Sequence, residues 1–424
     1  MKIEKFENKL LNETVYCARH PSGLEIKVMP KSGYKSAFAM FAVKYGSIDT
    51  FLQQKDGSFT PIPEGTAHFL EHKLFESEEL DAFKLFEKTG AYANAYTSFE
   101  QTAYLFKGSE NILQSLGYLL DFVQHPYFTA ETVQKEQGII GQEIRMYLDD
   151  PEWVIMLNLL KALYKDNPVR VDIAGTQESI SHIDDKLLYS LYNSFYNPSN
   201  MILTVVGSVD PEEIFSKVET SIIREKKTVP ERKFTVDSPE SVKKYISSKL
   251  SVGRKQFMLG YKEHILKPLI SLEDEIASQV MLEAVFGVST DFYKQMLDDG
   301  LISLDFSAFL FNGYGFSVFM FGGGSDDPEK TVKAIKDRIN QVKENGISAD
   351  DFERAKRKIY GKFVMLYNEI DVSANYLVSL YFTGYEPFAE MNIIRDLTVE
   401  KAEKRLACLN EEGCALSVIE PMDK

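Results

Sequence analysis

The chain has 424 residues, enough for two to three ordinary domains. Hydrophobic residues make up 44% and charged residues 26%, a globular mix with ample core. The net charge of −15 counts against nucleic acid or an anionic membrane surface as the main partner. Cys17, Cys408 and Cys414 show no metal-binding spacing and read as free thiols in a reducing compartment. The opening MKIEKFENKLLNETVY has neither an apolar core nor a small-residue cleavage site, and no apolar run is long enough for a bilayer, so the expected location is cytoplasmic, without a membrane partner.

In chain order, residues 14–30 predict a hairpin and residues 36–46 a buried strand, followed by a polar loop over 47–57. The stretch EGTAHFLEHKLFE (64–76) predicts a helix with Ala67, Leu70 and Leu74 on its apolar side, and 77–89 a second short helix. Residues 90–107 predict two strands about a turn near Ser98-Phe99-Glu100. Helices follow at 109–123, 130–147 (with Thr129 as a possible cap), 152–163 and 183–196, then the buried strand MILTVV at 201–206. Gly138 and Gly141 lie inside the second of these helices, where each costs roughly 1 kcal/mol relative to Ala, and close packing is the expected offset.

Residues 225–242 are polar and contain proline, the best linker in the chain. Beyond them the pattern is broadly similar. Strands are predicted at 256–261, 303–311, 315–321 and 415–419, with helices at 272–286, 329–344 and 349–368 and more helix to about 407. Ser271 and Asp274 stand at capping-box spacing. Gly322-Gly323-Gly324 lacks the Lys-Ser/Thr of a phosphate loop and reads as a turn. The fold class is therefore α+β, in two halves of related architecture: 1–224, the linker 225–242, and 243–424.

The helix at 64–76 carries the chemistry. His68, Glu71 and His72 are spaced His-x-x-Glu-His, which puts the two imidazoles one turn apart on one face with a carboxylate beside them. Two such histidines can share one metal ion, and a third ligand of carboxylate type completes a catalytic zinc set with one open position. The helix at 130–147 offers Glu136 and Glu143, seven residues apart on one face, and spacing does not choose between them or exclude Glu131. Glu71 is then the general base, taking a proton from water activated at the site. Only six histidines occur in the chain, which makes a chance pair at this spacing less attractive.

His68-Phe69-Leu70-Glu71-His72 resembles the inverted zinc motif of the pitrilysin, insulysin and mitochondrial processing peptidase family, the inverzincins. GAYANAYTSFEQTAY resembles the family's active-site edge strand and KEQGIIGQEIRMYLDDPE its downstream glutamate helix. PVRVDIAGTQESI and FYNPSNMILTVVGSVD resemble later segments of its first domain, so the likeness spans nearly the whole chain and is greatest to small bacterial members. The resemblance implies two homologous halves, each a mostly antiparallel sheet packed with helices in the LuxS-like metallopeptidase fold. It implies one zinc ion per chain on His68, His72 and Glu143, with Glu136 as the accessory catalytic glutamate behind the ligands and Glu71 as base. It also implies that Asn94 and Ala95 hold substrate backbone by strand addition, with Tyr96 as a subsite wall.

One departure stands out. The family's substrate-binding Arg and Tyr align with Gly315 and Gly322, and no arginine lies between Arg254 and Arg338. The resemblance therefore implies a homologous partner subunit that supplies the Arg/Tyr pair, as a heterodimer, with a homodimer as the other arrangement. The expected function is a zinc endopeptidase acting on peptides or unstructured segments, as the catalytic subunit of such a pair. The competing expectation is a non-catalytic scaffold or peptide-binding subunit. The intact set of His68, Glu71, His72 and Glu143 argues against it, and the missing Arg/Tyr pair argues for it.

Overall fold

A computed structural model of the chain describes residues 1–76, 82–223 and 225–422. The chain forms two compact units. Unit 1 comprises Met1–Ile144, Asp172–Lys233 and Val364–Phe388; unit 2 comprises Arg145–Val171, Phe234–Phe363 and Ala389–Lys424.

Unit 1 opens with β1 (Ile3–Asn8), β2 (Glu13–Arg19), β3 (Glu25–Pro30) and β4 (Ala37–Val43). A small hairpin, β5 (Phe51–Gln53) and β6 (Phe59–Pro61), precedes α1 (Thr66–Leu74), α2 (Ala82–Thr89), β7 (Tyr92–Thr97), β8 (Thr102–Gly108), α3 (Ile112–Gln124) and α4 (Ala130–Leu148). The chain then contributes α5 (Pro151–Leu163) to unit 2. It returns to unit 1 with α6 (Gln177–Ser181), α7 (Asp185–Phe195), β9 (Met201–Gly207) and α8 (Pro211–Ser221). Unit 2 continues with β10 (Tyr245–Leu250), β11 (Gln256–Lys262), α9 (Leu272–Phe286), α10 (Asp291–Asp298), β12 (Ser307–Gly313), β13 (Phe316–Gly324), α11 (Pro328–Asn345) and most of α12 (Ala349–Leu366). α13 (Ile370–Thr383) belongs to unit 1, whereas α14 (Ala389–Asp396), α15 (Val399–Lys404) and β14 (Cys414–Pro421) complete unit 2.

The sheet of unit 1 has the order β1-β2-β3-β9-β4-β8-β7, and that of unit 2 the order β10-β14-β11-β13-β12. Within the first, β3, β9, β4, β8 and β7 match β10, β14, β11, β13 and β12 of the second, both in chain order and in direction. Each five-strand set has one parallel pair, β3 with β9 and β10 with β14, and is otherwise antiparallel. The α+β fold of two similar, mostly antiparallel halves expected from the sequence is therefore present. The helix after β4 carries the His-x-x-Glu-His motif, and α9 occupies the corresponding place after β11 without a histidine.

The runs AFAMFAV of β4 and MILTVVG of β9 lack polar alternation because both strands are buried throughout. Part of that cover is α13, which packs on β9 and β4 although it lies more than 150 residues later in the chain than β9. The mirror arrangement holds in unit 2, where α5 packs on β14, β11 and β10. There Gly260 of β11 makes room for the helix: a Cβ at this position would stand 2.9 Å from Leu159 and 3.0 Å from Leu163. The compact units thus interleave along the chain, whereas the expected boundaries divide it into consecutive halves. The stretch expected as a linker is anchored within each unit. Arg232 makes paired 2.8 Å bonds to Asp49 in unit 1, and Asp237 accepts from the backbone N–H groups of residues 165–167 and from Lys262 in unit 2.

Several local expectations change. The loop expected over 47–57 contains β5, and β1, β10, α8 and α10 are additional elements. The first part of the helix expected at 77–89 falls on 77–81, outside the described residues. Gly322-Gly323-Gly324 is the end of β13 rather than a turn. Close approach accounts for it, since a Cβ at Gly323 would meet Phe306 Cα at 3.0 Å and one at Gly322 the Phe257 carbonyl at 3.2 Å. Gly138 is not explained by close packing, because a Cβ there would meet nothing within 4 Å.

Candidate metal centre and active site

The site is assembled in unit 1 from α1, α4 and β7. α1 starts at Gly65, whose φ of 85° is left-handed. Glycine is required there twice over, because a Cβ would lie 2.4 Å from the Ala174 carbonyl oxygen. Gly175, at φ 75°, meets the Glu64 carbonyl in the same way, at 2.6 Å. The two backbones cross where neither can carry a side chain, and this crossing fixes the start of the motif helix. Along α1, Phe69, Leu70 and Leu74 are fully buried and set the rotation of the helix. His68, Glu71 and His72 then emerge on the side that meets α4.

α4 is held by its own apolar face (Val133, Ile140, Ile144), and Thr129 caps it by accepting from the Thr132 N–H. Gln137 donates to the carbonyls of Ile180 and Ile183, which pins the helix one residue past Glu136. Glu136 and Glu143 both face α1, and they do different things. The Glu136 carboxylate lies 2.9 Å from Nδ1 of His72, a hydrogen bond that directs the Nε2 lone pair away from Glu136. Glu143 lies 3.6 Å from Nε2 of His68 and 3.5 Å from Nε2 of His72. His68, His72 and Glu143 each offer an atom within 4.8 Å of the others, a group that could hold a metal ion.

The donor set fits zinc. Four ligands at about 2.0–2.1 Å in tetrahedral array stand ~3.3 Å from one another, close to the separations of both imidazoles from Glu143. These separations are too long for hydrogen bonds. Burial pulls the His72 imidazolium down, but its hydrogen bond to Glu136 and the charges of Glu71, Glu136 and Glu143 outweigh it, so its pKa is raised. That concentration of negative charge around an imidazole suits a divalent cation. Nδ1 of His68 is buried with no hydrogen-bond partner among the described residues, so only one of the two histidines is oriented from behind.

Glu71 is 9% exposed, and its Oε2 accepts a 2.7 Å hydrogen bond from the Thr97 hydroxyl on β7. Thr97 was not among the expected site residues. Its only signal in the sequence is a hydroxyl at the end of the expected edge strand, 26 residues from Glu71. Among the described residues β7 is the last strand of its sheet, paired on one side only, by β8. Of the three residues expected to meet substrate, Asn94 is exposed and its side chain accepts from the N–H of Ala95 at 2.9 Å. Tyr96 points to the face of the sheet opposite Thr97, where its hydroxyl donates to Asn375 of α13 at 2.7 Å and accepts from Gln101 at 2.8 Å. Glu131, open as an alternative ligand on spacing alone, lies in the exposed first turn of α4 and is not part of the metal-ligand group. No described helix is long and apolar enough to cross a membrane.

Residues 55–177 match the family model described as Insulinase (Peptidase family M16), and residues 182–359 the model described as Peptidase M16 inactive domain. A protein of Bacillus subtilis (strain 168) described as uncharacterized zinc protease YmfH is 38% identical over 95% of each chain. This chain belongs to the M16 peptidase family. It is also similar to a crystal structure of a putative M16-like peptidase from Alicyclobacillus acidocaldarius, with 35% identity and a TM-score of 0.93 over 98% of this chain and 100% of that one. A probable mitochondrial-processing peptidase subunit beta of Arabidopsis thaliana is 25% identical over 51% of this chain and 44% of its own. In M16 terms, the three donor residues and Glu71 lie in the segment matching the insulinase model, and β10 to β13 lie in the segment matching the inactive-domain model.

Proposed function

We propose that this M16 protein is a zinc-dependent endopeptidase acting on peptides or unstructured polypeptide segments. The observation that carries the reading is the convergence of Nε2 of His68 and of His72 on the carboxylate of Glu143. These three residues would hold the ion, one per chain. Zinc bound there supplies a Lewis acid for the peptide carbonyl and lowers the pKa of water. The chain's own residues supply the rest. Glu136 holds the His72 ring in one tautomer through Nδ1. Glu71 accepts the proton of the attacking water and passes it to the leaving amine. The free edge of β7 takes substrate as an added extended strand, through backbone groups near Asn94 and Ala95, so that flexible segments bind and folded ones do not.

A partner subunit accompanies this reading. With glycine at 315 and 322 and no arginine between Arg254 and Arg338, the positions that align with the family's substrate-binding Arg and Tyr carry neither group. The subunit designation of the mitochondrial relative supports a division of roles between homologous chains. A homologous chain bearing an Arg/Tyr pair is the partner that fits.

The experiment is metal analysis together with cleavage of a quenched fluorescent peptide, with and without a co-purifying homologue. Wild-type protein should carry one zinc and cleave. Glu71→Gln should keep zinc and lose cleavage by at least about a hundredfold, the usual weight of a general base. Unchanged turnover in that variant removes Glu71 as base, and full activity of the isolated chain removes the partner. Metal-free wild-type protein that cleaves nothing under any pairing favours the scaffold reading instead.

A further inference from the structure

We infer that Thr97 is a positioning residue for Glu71, so that the strand offered to a peptide also holds the base that would act on it. The inference rests on the peptidase reading above and concerns a residue that neither the motif nor its spacing contains.

The Thr97 hydroxyl has one proton, and two oxygens lie near it: Glu71 Oε2 at 2.7 Å and Thr102 Oγ1 at 3.3 Å. The Thr102 proton is committed to the Tyr45 carbonyl at 2.9 Å. That leaves Thr102 only as a rival acceptor at 3.3 Å, and the closer, charged carboxylate at 2.7 Å takes the Thr97 proton. A charge-assisted O–H to carboxylate bond of this length is among the stronger hydrogen bonds a protein makes.

Geometry then fixes the direction. Thr97 ends β7 and Thr102 begins β8, and the two stand opposite each other in the ladder. The sheet sets the position of the hydroxyl, and the β-branched side chain has few rotamers in which to leave it. Successive residues of a strand point to opposite faces. Thr97 accordingly reaches α1 on one face, while Tyr96 is tied to Asn375 and Gln101 on the other. The end of β7 is clamped from both sides, whereas Tyr92 and Asn94 at its start stay exposed.

The chemical consequence is a division of labour within one carboxylate. Oε2 of Glu71 is occupied by Thr97, so Oε1 is the oxygen that receives the proton from water. A peptide that pairs along β7 stiffens the strand and, through Thr97, the carboxylate as well. Substrate occupancy and base geometry are then coupled through one hydroxyl, and Thr97 itself touches neither the ion nor the scissile bond.

The test uses the full chain. Thr97→Val keeps the branched shape and removes the hydroxyl; Thr97→Ser keeps the hydroxyl. For Thr97→Val, kcat on a fluorescent peptide should fall by about tenfold or more, with KM within roughly twofold and zinc content unchanged. Thr97→Ser should recover most of the loss. Unchanged kcat in Thr97→Val, or a serine variant as impaired as the valine variant, overturns the inference. A second measurement does not depend on activity. The drop in melting temperature caused by Thr97→Val should largely vanish in a Glu71→Ala background, whereas additive drops would show that the hydroxyl does not hold the carboxylate. If wild-type protein hydrolyses nothing, the peptidase reading fails, and the melting cycle still decides whether Thr97 holds Glu71.

Discussion

The hydroxyl of Tyr96 donates to Oδ1 of Asn375, 279 positions later in the chain. This bond belongs to a larger arrangement in which α13 seals unit 1. Lys31 donates to the Tyr367 carbonyl and Lys44 to that of Phe382 at 2.8 Å, and Ala374, Leu377 and Val378 are fully buried. A fragment ending at residue 224 would leave part of the apolar surface of β4 and β9 bare. Such a fragment should bind an apolar dye and melt without a cooperative transition. Joining residues 364–388 to it should restore a sharp transition. A cooperative melt from the 1–224 fragment alone would contradict this arrangement.

Glu136→Gln separates orientation from ligation. The amide can still accept from Nδ1 of His72, but the negative charge behind the ring is gone. Zinc affinity, measured by chelator competition, should fall by about ten- to a hundredfold. Glu143→Gln should cost far more, because it removes a ligand rather than the support of one. Equal losses in the two variants would mean that the roles assigned to the glutamates are wrong.

Two glycines near the site should respond in opposite ways to alanine. Gly65→Ala puts a methyl group 2.4 Å from a backbone oxygen at left-handed φ, and should destabilise the fold by more than about 2 kcal/mol while lowering zinc retention. Gly138→Ala meets nothing within 4 Å in the interior of α4 and should stabilise by about 0.5–1 kcal/mol, with zinc retention unchanged. Thermal or urea melts of both variants provide the check.

The three thiols set an alkaline limit. Burial pushes Cys17 up to about 12, with Lys27 working against the shift; burial and then Glu263 push Cys408 up to about 12; burial raises Cys414 to about 11 against Lys336. At pH 8 a thiol at such a value is ionised to roughly one part in a thousand to ten thousand. Alkylation of the native chain should therefore be slow and should become rapid on unfolding. The unfolded chain loses these protons first, near the ordinary thiol pKa of about 8.5, so stability should decline as pH rises through and beyond that value. Urea melts from pH 7 to 10 on wild-type protein and a triple Cys→Ala variant would measure the difference. Equal pH dependence in the two would exclude the thiols as its cause.

The parts of this fold that were legible in the sequence are those where one segment carries its own signal. The motif helix reads directly from its 3.6-residue spacing, and β4 and β9 read as buried runs. Spacing also placed Glu136 and Glu143 on one face, yet it could not say which lies level with the histidines. They differ by two turns along the axis, about 10 Å, and only the crossing of Glu64-Gly65 with Ala174-Gly175 fixes where α1 starts. The short strands β1 and β10 lack strong apolar alternation in their sequences, whereas α8 carries a legible signal in its Asp210-Pro211 start. The exchange of α5 and α13 was not readable, because an amphipathic pattern reports that a face is covered and is silent on which sheet covers it. Thr97 was hidden for a related reason: its partner lies on another element.

The placement of α13 also governs the order in which the molecule can be built. During synthesis the sheet of unit 1 is complete in strands once β9 has emerged, yet one of its covering helices is not made until residue 383. For the intervening stretch of translation, β4 and β9 have an unsealed apolar surface. Over that interval this surface is open to non-native association, and unit 2, with α5 already supplied and β14 still to come, is completed last, with its final strand ending at Pro421.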